Sequence, residues 1–188
     1  MKKYTKEDVY QVTWEELDKL VSNLVAEMSE DNLRIHVISP ILRSGGVLAT
    51  MLANKLNVVP MLPVQFKYSY QPLQLHQVSS LPDLLVDLPG HVNILLCEGN
   101  LSAGTTATAA AELLREKYPY AKIYLAALTK VYGCPEKLEG IEKVFYGQLT
   151  DESFVATLEE KESMRIRSGM TVFPWEDASA ELADINSI

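Results

Sequence analysis

Residues 93–114 read NILLCEGNLSAGTTATAAAELL: an apolar run, a turn carrying glycines at 99 and 104, and an alanine-rich segment of helical character. A strand that feeds a turn and then a helix points the unpaired N–H groups of the helix start, and the positive end of its dipole, at one place in front of the turn. That arrangement suits a phosphate. Ser102, Thr105 and Thr106 add hydroxyl donors to the same rim, around the backbone of Ala103 and Gly104. The competing reading is that the glycines permit a tight connection and the two threonines cap the helix.

Neighbouring motifs narrow the ligand. The spacing Gly99, Gly104, Thr105, Thr106 follows a P-loop except that threonine stands where the lysine belongs. That lysine is what reaches the β and γ phosphates, so a nucleoside triphosphatase is not expected. No GxGxxG follows any apolar run, which argues against a dinucleotide fingerprint. The formal net charge of −8 offers no basic footprint for nucleic acid or an anionic membrane, so the phosphate should belong to a small molecule. The start, MKKYTKEDVY, lacks the apolar segment of a secretory signal, and no run is long enough to span a bilayer, so a cytoplasmic protein is expected. Cys97 and Cys134 are too few and too far apart for a disulfide framework or a zinc site.

The elements that must position this turn can be read from pattern. Thr13 and Glu16 form a capping box ahead of Leu17, Leu20, Val21, Leu24 and Val25 at helical spacing. LRIHVISPI (33–41) is a short apolar run read as a buried strand; RSGG turns the chain, and VLATMLANKL is a helix packed back on the sheet. VNILLCE, AKIYLAALTKVY and IEKVFYGQL supply further strands, with TTATAAAELLREKY the helix after the first of them. Strand, turn, helix and strand in this order predict a parallel α/β sheet. The connection over 71–91 has only a weak period and is read as a lid or arm. Residues 150–170 carry a charge run taken as a solvated surface, and the tail from Ser179 is expected to be partly frayed.

ILLCEGNLSAGTT resembles, in frame, the diphosphoribosyl-binding motif of the type I phosphoribosyltransferases: an apolar strand, two acids, two apolar residues, then Asp, Thr, Gly and Thr. Glu98 falls on the first acid, Gly99 on the second, Ser102 on the later Asp, and AGTT on the phosphate cradle. Other landmarks follow in the family's order. PILRSGG resembles its pyrophosphate loop, with Arg43, Ser44 and Gly45 in the contacting positions, and a guanidinium bridges phosphate oxygens well. Ser69 and Tyr70 match the pair that opens the mobile loop of the 6-oxopurine branch. Lys130 matches the lysine that meets the exocyclic oxygen of the purine, and Trp175 in FPWED matches the hood over the base. Tyr10 and VTWEEL resemble the start of the bacterial xanthine-guanine enzymes, while PILR and a motif short of acids are shared with the uracil branch.

The resemblance implies one type I phosphoribosyltransferase-like domain over residues 1–188, with a parallel-sheet core over about 10–150 and a small hood from the terminal segments, including about 151–188. It implies a pentosyltransferase that moves ribose 5-phosphate from phosphoribosyl pyrophosphate to a nucleobase, purine-like by branch, with Mg²⁺ and as a homodimer. Glu98 and Ser102 would be the catalytic positions, Glu98 bearing indirectly on the metal. Gly99 offers no side chain and the Ser102 hydroxyl is a far weaker base than a carboxylate, so a second reading stays open: a phosphoribosyl or nucleotide sensor, or a partner subunit, that binds without turnover. The third reading, an α/β domain with no small-molecule site, is the least favoured.

Overall fold

A computed structural model describes residues 3–186, with the backbone alone at Tyr70. In chain order its elements are β1 (Val9–Gln11), α1 (Trp14–Glu30), β2 (Val37–Leu42), α2 (Gly45–Leu56), β3 (Val64–Tyr70), β4 (Leu73–Gln77), β5 (Asn93–Leu101), α3 (Thr105–Lys117), β6 (Lys122–Val131), β7 (Val144–Asp151), α4 (Leu158–Ser163), β8 (Arg167–Ser168), β9 (Met170–Val172) and α5 (Ala178–Ile185). The capping box is formed: Glu16 N–H donates to Thr13 Oγ1 at 3.1 Å, and the Thr13 N–H donates to Glu16 Oε2 at 2.9 Å.

Seven strands form one sheet in the order β4-β3-β2-β5-β6-β7-β8, parallel except for the β3–β4 hairpin. Alternation along β5 divides the core. Leu95 and Cys97 join α1 and α2 through Leu17, Leu24, Leu48 and Leu52, whereas Ile94 and Leu96 join α3 through Ala107, Ala110, Ala111 and Leu114. Small alanines on that face let α3 lie close to the sheet, as dense packing requires. From β2 the chain crosses to β3 on one side; from β5 it crosses to β6 on the other. The ends of β2 and β5 therefore flank a topological switch point, where open parallel sheets bind ligands.

A second, two-stranded parallel sheet pairs β1 with β9, in the register Val9 with Met170 through Gln11 with Val172. Tyr4 and Asn186 exchange hydrogen bonds of 2.8 and 2.9 Å, so both terminal segments belong to one small layer.

Several sequence expectations need correction. The tail forms α5, because Asp177 Oδ1 accepts the N–H groups of Ser179 and Ala180 and Leu182 is buried. Fraying of residues 187–188 lies outside the described residues. The connection after β3 opens with β4, which pairs back on β3. Residues 150–170 are not all surface: Asp151 is buried and accepts the N–H groups of Val155 and Ala156 at 2.9 and 3.0 Å, with Lys161 at 3.2 Å. Burial alone would raise its carboxyl, but these donors outweigh that and hold it below the usual carboxylate range. Among the described residues no helix is long and apolar enough to cross a membrane.

Candidate functional site

The turn that closes β5 is built as a nest. Gly104 is the N-cap of α3 at φ +78°, a left-handed conformation that glycine adopts without penalty, and a Cβ there would lie 2.4 Å from Leu138 Cδ2. The helix ladder starts with Thr108 N–H donating to Gly104 O, which leaves the preceding amides facing the turn. Ser102, Ala103 and Thr105 are exposed and Thr106 is half-buried. Neither threonine is the cap, which removes the competing capping role.

The turn that closes β2 faces the same crevice. Arg43 is exposed, Ser44 is the N-cap of α2 without a side-chain cap bond, and Gly46 N–H donates to Arg43 O at 3.0 Å. Gly45 sets its distance from β5, since a Cβ at Gly45 would lie 2.0 Å from Cys97 O and 3.4 Å from Glu98 Cα. Two N–H-lined turns are thus held against neighbouring strand ends, with Glu98 beside the junction.

Glu98 is the group under strain. Its Oε2 is buried and finds no hydrogen-bond partner among the described residues, and burial pushes its carboxyl up to about 7. Gly99 explains why no second acid stands next to it. A Cβ there would lie 2.9 Å from both Cβ and Oγ of Ser44 and 3.1 Å from Phe173 Cε2. Gly99→Asp is expected to cost about 1–3 kcal/mol through overpacking, read as a lower urea midpoint. An unchanged midpoint would mean that Phe173 gives way freely.

The remaining sequence candidates are placed differently. Lys130 is buried, with its ammonium 3.0 Å from Glu136 Oε1 and 5.3 Å from the Tyr146 ring centroid, so its charge is already engaged. Ser69 lies in the β3–β4 hairpin, where its hydroxyl donates to Pro72 O at 3.1 Å and meets His76 Nε2 at 2.9 Å. The side chain of Tyr70 lies outside the described residues. Trp175 stacks on Phe173 at 4.9 Å and 10° and leans on Trp14 at 6.2 Å, and it shares a cavity with Arg43, Ser44 and Glu176. The structure thus gathers Arg43, Ser44, Glu98 and Trp175 around the hood side of the crevice.

Sequence reasoning missed Glu152 and Thr171, which line one cavity with Ser44 and Glu98. Glu152 Oε1 accepts Asn100 Nδ2 at 2.8 Å, and Asn100 Oδ1 in turn accepts the Thr129 hydroxyl at 2.9 Å. Asn100 standing two residues after Glu98, on the same face of β5, was the available signal.

Mg²⁺, implied by the resemblance, can be tested against these donors. Among the described residues no group of three His, Cys, Asp or Glu side chains is placed to hold a metal ion. The orphaned Glu98 carboxylate fits the way Mg²⁺ is held when substrate oxygens supply most of its ligands, with one carboxylate from the protein.

Two glycine-bearing turns, each opening a helix, flank the switch point of a parallel sheet, which is the place where open α/β sheets hold ligands. The model of the phosphoribosyl transferase domain matches residues 13–163, and the chain belongs to that family. Its fold is similar to that of a purine phosphoribosyltransferase from Pyrococcus horikoshii, 18% identical, with TM-score 0.65 over 90% of this chain and 95% of that one. It is similar also to the Helicobacter pylori xanthine-guanine-hypoxanthine phosphoribosyltransferase, 16% identical, with TM-score 0.60 over 96% and 99%. A hypothetical protein from Neisseria gonorrhoeae with bound ppGpp is 14% identical, with TM-score 0.64 over 98% of each chain. No curated protein matches the chain.

Proposed function

We propose that the chain binds phosphoribosyl pyrophosphate across the ends of β2 and β5 and transfers its ribose 5-phosphate to a purine-like nucleobase, releasing pyrophosphate. The observation that carries this reading is the unpartnered buried carboxyl of Glu98 set between two N–H-lined turns. The 5-phosphate rests on residues 102–106, the pyrophosphate on Arg43, Ser44 and Gly45, and Glu98 receives the ribose hydroxyls. The C1–O bond breaks with its electron pair leaving on pyrophosphate, and a base nitrogen forms the C1–N bond while its proton passes to solvent water. Positioning and a preorganised electrostatic field supply the rate, because the transition state resembles an oxocarbenium ion. Mg²⁺, when bound, neutralises charge on the leaving group. The reading takes residues 1–188 as one domain serving nucleotide salvage in the cytoplasm as a homodimer, an assembly that sedimentation tests.

Gly99 and Ser102 favour a second reading, in which the site binds a phosphoribosyl compound or nucleotide without turnover. That a fold neighbour was solved with bound ppGpp supports it. Purified chain given Mg²⁺, phosphoribosyl pyrophosphate and each common base in turn decides between them. Pyrophosphate release with any base supports transfer. Calorimetric binding of phosphoribosyl pyrophosphate with no release from any base supports the sensor, and absence of both overturns both readings.

A further inference from the structure

No side chain caps α3, whose N-cap is Gly104, so the amides of the turn are not held by the usual hydroxyl or carboxylate. What stands behind Gly104 is apolar. The three atoms nearest to a Cβ built there all belong to one side chain, Leu138, with Cδ2 at 2.4 Å, Cδ1 at 3.1 Å and Cγ at 3.3 Å. Leu138 is buried, in the same apolar cluster as Leu101 and Ala107, which bracket the turn in sequence. It belongs to neither the turn nor its helix, but to the connection between β6 and β7.

That connection is anchored along its length. Tyr132 N–H donates to Thr150 O at 2.7 Å, the Cys134 thiol donates to Leu101 O at 3.7 Å, and Glu136 Oε1 lies 3.0 Å from the Lys130 ammonium. Further on, Ile141 N–H donates to Leu138 O at 3.2 Å and Glu142 N–H to Ile123 O at 2.7 Å, while a Cβ on Gly140 would lie 3.5 Å from Ala111 Cβ of α3. Leu138 is thus a fixed surface rather than the free tip of a loop. It offers the turn no polar group to compete for its amides, and it fills the space behind the bare Cα of Gly104. The helix ladder begins with Thr108 N–H donating to Gly104 O, so the direction of the amides before it follows from the φ of +78° that Leu138 backs.

Resting on the placement of the 5-phosphate on residues 102–106, we propose that Leu138 is a positioning residue for that phosphate, acting through Gly104 to keep the N–H groups of the turn converged before the ligand arrives. Shortening the side chain leaves a cavity behind the turn, and the ligand must then bear the cost of ordering what Leu138 had already ordered. The loss falls on the phosphate end alone. The turn at Arg43, Ser44 and Gly45 rests on β5 where Gly45 meets Cys97 O, a contact in which Leu138 takes no part.

Calorimetry on the full chain with Mg²⁺, using ribose 5-phosphate and inorganic pyrophosphate as separate probes, tests this. Leu138→Ala is expected to weaken ribose 5-phosphate about tenfold and pyrophosphate by less than about twofold, whereas Leu138→Met, which conserves volume, stays within about twofold for both. Urea midpoints are read for each variant; if Leu138→Ala does not fold, Leu138→Val replaces it, with a loss of about fourfold for ribose 5-phosphate. Equal weakening of the two probes, an unchanged ribose 5-phosphate affinity in the folded truncation, or a Met variant as weak as the truncation overturns the proposal. A parent chain that binds no ribose 5-phosphate overturns both the proposal and the placement on which it rests. The expected pattern without pyrophosphate release from phosphoribosyl pyrophosphate and any base sustains the positioning role and overturns transfer; release with a truncation that binds ribose 5-phosphate as the parent does sustains transfer and overturns the positioning role.

Discussion

Glu98→Gln is expected to stabilise the ligand-free protein at pH 8 by on the order of 2 kcal/mol while abolishing productive binding of phosphoribosyl pyrophosphate. Burial raises the Glu98 carboxyl to about 7 in the folded chain, against an ordinary value of 4.5. Between those two values the native state keeps a proton that the unfolded chain has released, so stability falls as pH rises across that window and levels off above it. Gln carries no charge and removes the slope. The figure is set below the full conversion of the shift because the side chain is not wholly buried and because the new amide brings donors of its own. Urea midpoints at pH 5 and pH 8 for both proteins supply the check, and parallel pH profiles would contradict the assignment.

Gly45→Ala is expected to cost about 3 kcal/mol or more and to disable the β2–α2 turn, while Gly46→Ala is expected to be neutral or slightly stabilising. At Gly45 the added Cβ meets backbone, Cys97 O at 2.0 Å and Cys97 C at 2.9 Å, and no rotamer change can move a strand aside. At Gly46 it meets only the end of the Leu42 side chain at 3.3 Å, in a helix where alanine is preferred to glycine by about 1 kcal/mol. Adjacent glycines with opposite outcomes are read by thermal unfolding and by phosphate binding. Equal effects at the two positions would show that α2 does not rest on β5 as described.

What was legible in the sequence is what is local. The β5 turn and the helix after it are encoded within some twenty residues, and periodicity alone places Leu95 and Leu96 on opposite faces of a buried strand. The β2–α2 turn was legible for the same reason. Gly99 could be seen to lack an acid, but not that Ser44 and Phe173 occupy the place an acid would take, because those residues come from segments 55 and 74 positions away. The Glu152 and Thr171 lining was hidden likewise: β7 and β9 bring them to the end of β5, and nothing next to them in sequence marks them as buried. Lys130 was identified by its place in the chain, and its engagement with Glu136 depends on how the following loop folds back.

The pairing of Val9–Gln11 with Met170–Val172 sets a schedule for synthesis. The sheet core can form on the ribosome as its strands emerge, but β1 waits about 160 residues for its partner, roughly 10–30 s at ordinary elongation rates. Until then the crevice between β2 and β5 has no roof, and neither Phe173, which covers Gly99, nor Trp175, which stacks on Phe173, is yet present. The roof of the crevice is therefore the last part a growing chain can complete, and on the function proposed above any selection of the ligand waits for it.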